Sequence, residues 1–168
     1  KEKIKIISSN IIIKESKTNP IIIEVYFEDQ SKIDILLKNE DIRSDYIICK
    51  IISFIKEILK VDELVSYDVL PINNSVGLIE IVDKSYTLYE VKEELNMSLQ
   101  NFIMDKNKKE TIETIKNRFM LSLSIYCVIT YILGIGDRHL DNIMIKENGL
   151  LFHIDFSFCL GYDPKPFY

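Results

Sequence analysis

Apolar and β-branched residues occur in short runs through the first half of the chain, and polar stretches rich in turn-forming residues separate them. Runs of this kind are typical of strands joined by turns. The strands are expected at 10–13, 21–27, 33–38, 69–70 and 77–82. Between the third and fourth strands, isoleucines from Ile47 to Ile58 recur at helical spacing with lysine and glutamate between them, which indicates an amphipathic helix. The pattern predicts a five-stranded sheet with one packed helix.

The second half of the chain is predicted to be mainly helical. Helices are expected at 90–104 and 109–133, and a β-hairpin is expected at 143–154. Asn148-Gly149 marks the turn of this hairpin, because both residues tolerate positive φ.

One stretch inside the second helical region, residues 119–136, carries no charged side chain. Its length approaches that of a membrane span. The stretch nevertheless contains Ser122, Ser124 and Thr130 and leads directly into a polar loop. A buried central helix is therefore the preferred interpretation.

Composition narrows the class of protein. The chain has 168 residues, of which 47% are hydrophobic and 28% are charged, so it can bury a core. Its net charge of −5 argues against nucleic-acid binding, which requires clustered lysine and arginine. Cys49, Cys127 and Cys159 lie far apart without metal-binding spacing, so neither a disulfide framework nor a zinc site is expected. The expectation is a reducing, cytosolic setting, with no signal peptide at the charged N-terminus.

The candidate chemistry is concentrated between Gly136 and Phe156, a segment that holds both histidines. Asp137 is followed five positions later by Asn142, and Asp155-Phe156 comes at the end of a predicted strand. Protein kinases place their catalytic loop and their metal-binding aspartate in this order. Asn142 and Asp155 offer the oxygen ligands that Mg²⁺ prefers. The order predicts a phosphoryl-transfer site on a kinase-like fold.

The residues around this aspartate differ from those of ordinary protein kinases, because Asp137-Arg138-His139 inverts their His-Arg-Asp order. The segments 126–142, 151–156 and 160–166 together resemble the phosphatidylinositol 3- and 4-kinase family. The Leu140-Asp141 pair and the Asp163-Pro-Lys-Pro166 tail are most similar to its class III, vacuolar-sorting phosphatidylinositol 3-kinases.

The resemblance implies roles for five residues of this segment. Asp137 and His139 are implied to activate the inositol hydroxyl. Arg138 is interpreted as bracing the loop that carries them. Asn142 and Asp155 are implied to bind two Mg²⁺ or Mn²⁺ ions.

The resemblance also covers residues 38–45, which are similar to the family's phosphate-lysine signature with one glycine deleted. It implies that Lys38 neutralises the α- and β-phosphates of ATP and that Asp45 lies on the helix that follows. Ser16 matches the loop that covers the phosphates, although a solvated hairpin turn explains this residue equally well.

Adenine binding is implied for a further set of residues. Tyr67 corresponds to an aromatic residue deep in the adenine pocket, and the hinge runs from Glu80 to Val82. The apolar walls of the pocket are expected to come from Ile79, Met144 and Ile154. Ordinary core packing is an equally good interpretation of each apolar member of this set.

The expected fold class is α+β, with the two lobes of a protein-kinase-like fold. Residues 1–82 are expected to form the N-lobe and hinge, an antiparallel sheet with one packed helix. Residues 83–168 are expected to form a partial, mainly helical C-lobe with the catalytic loop and the start of the activation segment. Because kinase C-lobes continue well past the metal-binding aspartate, the chain is interpreted as a truncated catalytic domain.

Two further residues, Ser157 and His153, belong to this motif. Ser157 replaces the glycine of the Asp-Phe-Gly motif, and without the freedom of glycine the turn after Asp155 is expected to be stiffer or differently set. His153 precedes Asp155 by two, so strand alternation places both side chains on one face. It is interpreted as a structural histidine.

These residues favour an ATP-dependent lipid kinase that phosphorylates the 3-hydroxyl of phosphatidylinositol. Phosphatidylinositol 4-kinases and related serine/threonine protein kinases share the Gly-Asp-Arg-His and His-Ile-Asp-Phe sequences and remain alternatives. A catalytically silent nucleotide-binding module is another. The resemblance implies phosphatidylinositol in a membrane surface and a regulatory protein subunit as partners, and a peripheral place on endosomal or vacuolar membranes in trafficking and autophagy.

Overall fold

The structure is a computed structural model that describes residues 6–13 and 21–162. Ser16 and residues 163–166, both used in the sequence interpretation, lie outside the described residues. The chain divides into two compact units. Unit 1 takes the chain up to Lys50 and then Tyr67–Asp83, and unit 2 takes Ile51–Ser66 and the chain from Lys84 onward.

Unit 1 is built on an antiparallel sheet of five strands within the described residues. The strands are β1 (Ile6–Ile13), β2 (Ile21–Phe27), β3 (Lys32–Lys38), β4 (Val69–Pro71) and β5 (Gly77–Ile81), in the spatial order β1-β2-β3-β5-β4. The predicted five-stranded antiparallel sheet is confirmed. The main difference is that β1 begins at Ile6 rather than at residue 10.

The turn between β2 and β3 is fixed by one carboxylate. Asp29 Oδ1 accepts hydrogen bonds from the backbone N–H of Ser31 at 2.9 Å and from its hydroxyl at 2.5 Å. These bonds allow Gln30 to take a positive φ of 66°, and Phe27 N–H closes the turn on the carbonyl of Ser31 at 3.0 Å. An Asp-x-Ser sequence therefore shapes this connection locally.

Helix α1 (Arg43–Leu59) follows β3, as the isoleucine spacing predicted. Ile48 and Ile52 are fully buried on its inner face. Cys49 is also buried, and burial raises the pKa of its thiol to about 12, so it is an unreactive core residue. Just before the helix, Ile42 packs so tightly over β5 that a Cβ added at Gly77 would lie 2.1 Å from its Cδ1. A side chain at that glycine would therefore displace Ile42.

Unit 2 combines a small sheet with helices. Its elements are β6 (Ser85–Thr87), a π-helical turn (Glu90–Glu94), α2 (Leu99–Lys106), α3 (Ile112–Ile132), β7 (Ile143–Lys146) and β8 (Leu151–His153). The predicted hairpin is confirmed as β7 and β8, with Gly149 at a φ of 88° in its turn. Strand β6 was not predicted, and it pairs with β7 as the third strand.

The prediction of one helix over 90–104 is wrong. The Thr87 hydroxyl accepts the backbone N–H of Glu90 at 3.0 Å, and the Glu90 carboxylate accepts the backbone N–H of Thr87 at 2.6 Å. These bonds start a π-helical turn that ends at Glu94. Asn96 then takes a positive φ of 50°. Ser98 caps α2 by accepting from Asn101 N–H at 3.1 Å. Local capping thus divides the segment into two short helical pieces.

Helix α3 was expected to be buried, and the described residues show a helix that is buried on one face only. Tyr126 is fully buried, and its hydroxyl donates to the carbonyl of Val65 at 2.6 Å. By contrast, Tyr131 is 87% exposed and Ile132 is 69% exposed. Across the described ranges, the helices are all too short or too polar to cross a membrane.

Candidate active site

The loop after α3 has an irregular backbone that is held at both ends. Gly136 N–H donates to the carbonyl of Phe158 at 2.8 Å, and Asn142 N–H donates to the carbonyl of His139 at 3.0 Å. Asp137 lies in the left-handed region with a φ of 53°. Such a backbone is costly for a residue other than glycine and is tolerated best by Asn and Asp. The surrounding hydrogen bonds maintain it.

Arg138 supplies most of these bonds. Its guanidinium donates to the carbonyls of Gly136 and Ile154, each at 2.7 Å, to that of Asn142 at 3.3 Å, and to that of Asp155. The guanidinium thereby ties the loop to the backbone that follows β8. Its contacts in the described structure are those of a residue that positions the loop.

The side chains of Asp137, His139 and Asp141 lie together at the surface of unit 2. The imidazole is between two carboxylates, since Nε2 is 3.8 Å from Asp137 Oδ2 and Nδ1 is 3.8 Å from Asp141 Oδ2. His139 Nδ1 accepts the backbone N–H of Asp141 at 3.2 Å, so the proton of the neutral ring belongs on Nε2. The imidazole and the Asp137 carboxylate together can accept and relay a proton.

Asn142 is buried beneath this loop, with 7% of its surface exposed. Its side-chain N–H donates to the carbonyl of Asp137 at 2.9 Å, which fixes the orientation of the amide. Its own backbone carbonyl accepts Ile154 N–H at 3.1 Å. The side-chain oxygen of Asn142 is therefore held as a potential hard ligand.

Asp155 follows β8 and also takes a positive φ, 59°. Its Oδ1 accepts the hydroxyl of Ser157 at 2.7 Å and the backbone N–H of Ser157 at 3.3 Å. Among the described residues, no group of three or more His, Cys, Asp or Glu side chains is arranged so that it could hold a metal ion. A carboxylate and an amide oxygen nevertheless suit Mg²⁺, which binds few protein oxygens and keeps water and phosphate ligands.

His153 lies on β8 with its ring buried, 8% exposed. It stacks on Tyr126 with ring centroids 5.0 Å apart. Burial, with a smaller effect from the charge of Arg138, lowers the pKa of His153 to about 4. Its Nδ1 has no hydrogen-bond partner among the described residues. Strand geometry ends at His153, so the expected alternation with Asp155 does not apply.

The candidate phosphate-binding residues lie in unit 1. Lys38 ends β3, opposite Gly77. Its ammonium pairs with Glu40 Oε1 at 2.6 Å, and 24% of its side chain is exposed. Asp45 is buried in the first turn of α1, with 2% exposure.

The adenine-binding candidates of unit 1 lie on or beside β5. Ile79 faces Leu36 of β3 and Val69 of β4. Tyr67 is 5% exposed. The exposed Glu80 makes two hydrogen bonds to the backbone of Asp68. Its N–H donates to the carbonyl of Asp68 at 2.8 Å, and its carboxylate accepts the N–H of Asp68 at 2.9 Å.

Val82 comes directly after β5 and is half-buried. In unit 2, Met144 lies on β7, and Ile154 follows β8. Both are half-buried, as expected for either pocket lining or core.

Sequence reasoning missed two contacts of this site. The carbonyl of Phe158 anchors Gly136, and a backbone acceptor leaves no mark in a sequence. The bond from the Ser157 hydroxyl to Asp155 could have been found, because Asp-x-Ser is a recognised local hydrogen-bonding pattern.

Comparisons with known proteins agree with this chemistry. A sequence model of the family described as "Phosphatidylinositol 3- and 4-kinase" matches residues 33–168. Phosphatidylinositol 3-kinase VPS34 of Candida glabrata is 35% identical over 162 residues, which cover 91% of this chain and 18% of that protein.

Two plant proteins show similar relationships. Phosphatidylinositol 3-kinase VPS34 of Arabidopsis thaliana is 38% identical over 141 residues, 79% of this chain and 17% of that protein. The nodule isoform of phosphatidylinositol 3-kinase from Glycine max is 38% identical over 142 residues, with the same two shares. The chain thus spans less than a fifth of the length of these relatives.

Proposed function

Because the chain belongs to the phosphatidylinositol 3- and 4-kinase family, we propose that it transfers the γ-phosphoryl group of ATP to the 3-hydroxyl of phosphatidylinositol. The observation that supports this most is the loop at 136–142, where an exposed carboxylate and imidazole are presented on a firmly braced backbone. The names of its relatives favour the 3-hydroxyl as acceptor. The resemblance to this family, found first in the sequence, is confirmed.

In this proposal Asp137 and His139 orient the inositol hydroxyl and remove its proton. The Asp137 carboxylate is the more direct acceptor in the described arrangement, because His139 Nδ1 already accepts a hydrogen bond and Nε2 carries the ring proton. The deprotonated oxygen attacks the γ-phosphorus, the bond to the β-phosphate oxygen breaks, and ADP leaves. General-base assistance of this kind contributes roughly 10²- to 10⁴-fold.

Asn142 and Asp155 would hold Mg²⁺ or Mn²⁺ through their side-chain oxygens. Bound metal neutralises the charge that develops on the transferred phosphoryl group. Arg138 donates to four backbone carbonyls and so holds the segment that carries Asp137 and Asn142 next to the segment that carries Asp155. It acts as a positioning residue.

Nucleotide binding falls to the other candidates. Lys38 would neutralise the α- and β-phosphates, with Asp45 supporting the start of α1 behind it, and Ser16 would belong to the phosphate-covering loop. By the family resemblance, the proposed adenine contacts are Tyr67 and Ile79 in unit 1, and Met144 and Ile154 in unit 2. The backbone of Glu80 and Val82 would pair with the adenine edge.

The lipid substrate places the working enzyme at a membrane surface. The proposed setting is peripheral association with endosomal or vacuolar membranes, aided by a regulatory subunit that binds outside these residues. The two-lobe division at residues 82 and 83 stays a prediction.

The test is a phosphorylation assay with the longest natural chain that contains these residues. Vesicles that contain phosphatidylinositol are incubated with radiolabelled ATP and Mg²⁺ or Mn²⁺, and the position of the label on the inositol ring is determined. Label at the 3-position is expected. Label at the 4-position, or transfer to a peptide and not to lipid, would refute the proposal in favour of the related kinases.

A silent nucleotide-binding module is the second candidate, and one contact favours it. The Ser157 hydroxyl occupies an oxygen of the Asp155 carboxylate, 2.7 Å away, where the family motif has glycine. If this contact prevents metal binding, the protein would bind ATP without turnover. Phosphoryl transfer by the unaltered chain eliminates this candidate.

A further inference from the structure

The sheet of unit 1 ends in two edge strands of different kinds. Edge strands present unpaired backbone N–H and C=O groups, and proteins usually protect them with charges, prolines, bulges or a short length. Strand β4 is protected, since it consists only of Val69-Leu70-Pro71. Strand β1 has eight residues, Ile6–Ile13, and contains neither a charged residue nor a proline. It is therefore the less protected edge.

Strand β1 is paired along one side within the described residues. Its partners there all lie in β2, from Phe27 opposite Ile6 to Ile21 opposite Ile13. A shift of register between Ile6 and Ser8 makes an irregularity near the start of the strand, and the pairing from Ser8 to Ile13 is regular. The described structure thus leaves the other side of β1 with backbone donors and acceptors that a further strand can use.

The isoleucines of this edge are exposed on both faces of the sheet. Ile11 is 68% exposed and Ile12 is 46% exposed, and successive residues of a strand point to opposite faces. A strand laid along β1 would bring its own side chains against both isoleucines. Backbone pairing and apolar contact therefore favour the same event.

The sequence of β1 is symmetric in polarity, which indicates what the partner is. Residues 6–12 read Ile-Ile-Ser-Ser-Asn-Ile-Ile, with two isoleucines on each side of a polar centre. If two copies of β1 pair antiparallel about Ser9, isoleucine lies opposite isoleucine and Ser8 lies opposite Asn10 of the second copy. Cross-strand pairs of matching polarity stabilise a sheet. A shift by one residue would instead place Ser8 or Asn10 opposite an isoleucine.

Charge also permits two copies to approach along this edge. The chain has a net charge of −5, so two molecules repel each other at most other surfaces. Residues 6–13 are uncharged. In the strand behind them, β2, the single charged residue is Glu24, and its carboxylate pairs with Lys32 Nζ at 2.6 Å. The edge is therefore electrostatically suited to a second copy.

We infer that two copies of this chain associate by antiparallel pairing of their β1 strands about Ser9, which joins their two five-stranded sheets. The two-fold axis at Ser9 makes the contact closed, because each copy uses the same edge. One pair of strands is a small contact beside the roughly 1,200 Å² of a stable interface, so the dimer is reversible. The inference does not depend on the proposed function, because β1 contains no residue of the candidate site.

The first measurement is sedimentation of the longest natural chain that contains these residues, at increasing concentration. A monomer–dimer equilibrium is expected at micromolar concentrations. Ile11→Lys places a charge on the β1 edge and should raise the dissociation constant of the dimer about tenfold or more. Leu70→Lys is the matched control, because it makes the same kind of change on β4 at a side chain that is 59% exposed. It should leave the constant unchanged.

Cysteine cross-linking tests the register. Ser9→Cys is nearly isosteric and places two thiols opposite each other across the two-fold axis, where paired Cβ atoms lie about 5 Å apart. Mild oxidation should then yield a disulfide-linked dimer. In Ile11→Cys, on the same strand, the two thiols are displaced by four residues, about 13 Å. This variant should cross-link no more than the unaltered chain, in which Cys127 is already exposed.

Three results overturn the inference. The first is a monomer at every concentration up to about 100 μM. The second is a dimer whose dissociation constant changes equally in the two lysine variants. The third is equal cross-linking of the two cysteine variants, since it excludes a contact centred on Ser9. Each of these results leaves the proposed function standing, because the phosphorylation assay tests that function separately.

Discussion

The two units present their candidate residues in opposite ways. In unit 1, Lys38 lies at the end of a regular strand and Asp45 in the first turn of a helix. In unit 2, Asp137 and Asp155 both occupy left-handed backbone in irregular segments, and a single guanidinium binds the carbonyls around them. Substitution of the partly exposed Lys38 should therefore change charge and leave the fold intact. In unit 2, the candidate catalytic side chains and the arginine that holds their backbone are close neighbours, so a substitution there should affect both activity and stability.

The largest effect is expected from Asp137→Asn, which should lower kcat roughly 10³-fold, because the proton acceptor is lost. The fold should survive, since the side chain is exposed. The measurement is the rate of phosphatidylinositol phosphorylation on vesicles, together with a thermal melt.

Asp141→Asn is the matched control for this change. Its carboxylate is as far from the imidazole of His139 as that of Asp137, 3.8 Å in each case. We expect the control to lose less than about tenfold, because Asp141 lies on the Nδ1 side, away from the proposed acceptor. Equal losses in the two variants would contradict the assignment of the base to Asp137.

Arg138→Ala tests the architectural side of the comparison. The substitution leaves several backbone carbonyls without their donor, and we expect the free energy of unfolding to fall by about 3 kcal/mol. Arg138→Lys should recover little of this, because an ammonium cannot reproduce the fork of the guanidinium. Denaturant unfolding measures both effects.

Arg43→Ala provides the control for loss of an arginine in unit 1. Arg43 pairs with Asp41 at 2.6 Å, but 64% of its side chain is exposed. The change in stability should be much smaller than that of Arg138→Ala, because solvent screens an exposed ion pair. A comparable loss in the two alanine variants would show that the loop of unit 2 is not specially dependent on its guanidinium.

His153, a buried histidine of unit 2, should make the stability of the fold depend on pH. Its pKa is about 4 in the folded chain and about 6.5 in an unfolded one, so the unfolded state binds more protons between these values. Stability is therefore complete above pH 6.5 and is lost as the pH falls toward 4. At pH 5 the loss should be about 2 kcal/mol.

His153→Phe keeps an aromatic ring against Tyr126 and removes the titrating group. Urea unfolding at pH 7 and pH 5 should show a smaller pH dependence in this variant by about 2 kcal/mol. An identical pH dependence would mean that other groups cause the acid sensitivity.

The smallest effect is expected in unit 1, from Glu40→Gln. The glutamate pairs with Lys38 at 2.6 Å and is itself 46% exposed. Loss of this ion pair should lower the KM for ATP about twofold, in keeping with a partly exposed pair. Asp41→Asn, which alters the neighbouring pair with Arg43, should leave KM unchanged. A raised KM in Glu40→Gln would mean that the glutamate holds Lys38 in its useful position.

Much of the fold followed from local patterns. The five strands of unit 1 and the β7–β8 hairpin were predicted, because β-branched runs and the Asn148-Gly149 turn act over a few residues. The single helix over 90–104 was wrong, because the capping bonds of Thr87 and Ser98 divide it. Strand β6 was not predicted, because three residues are too few to show a periodic pattern. Its pairing with β7 also joins segments that lie far apart in the chain, which a local pattern does not reveal.

The sequence by itself determined the order of chemical groups, Asp137, His139, Asn142 and Asp155, and through that order the family. Order alone identifies a chemistry because phosphoryl transfer needs a base and hard oxygen ligands. Only the tertiary structure decided how these groups are held. Left-handed backbone at two aspartates depends on bonds to carbonyls, and the donor, Arg138, reaches acceptors up to residue 155. Such bonds depend on where the chain returns in space, which no local pattern of side chains encodes.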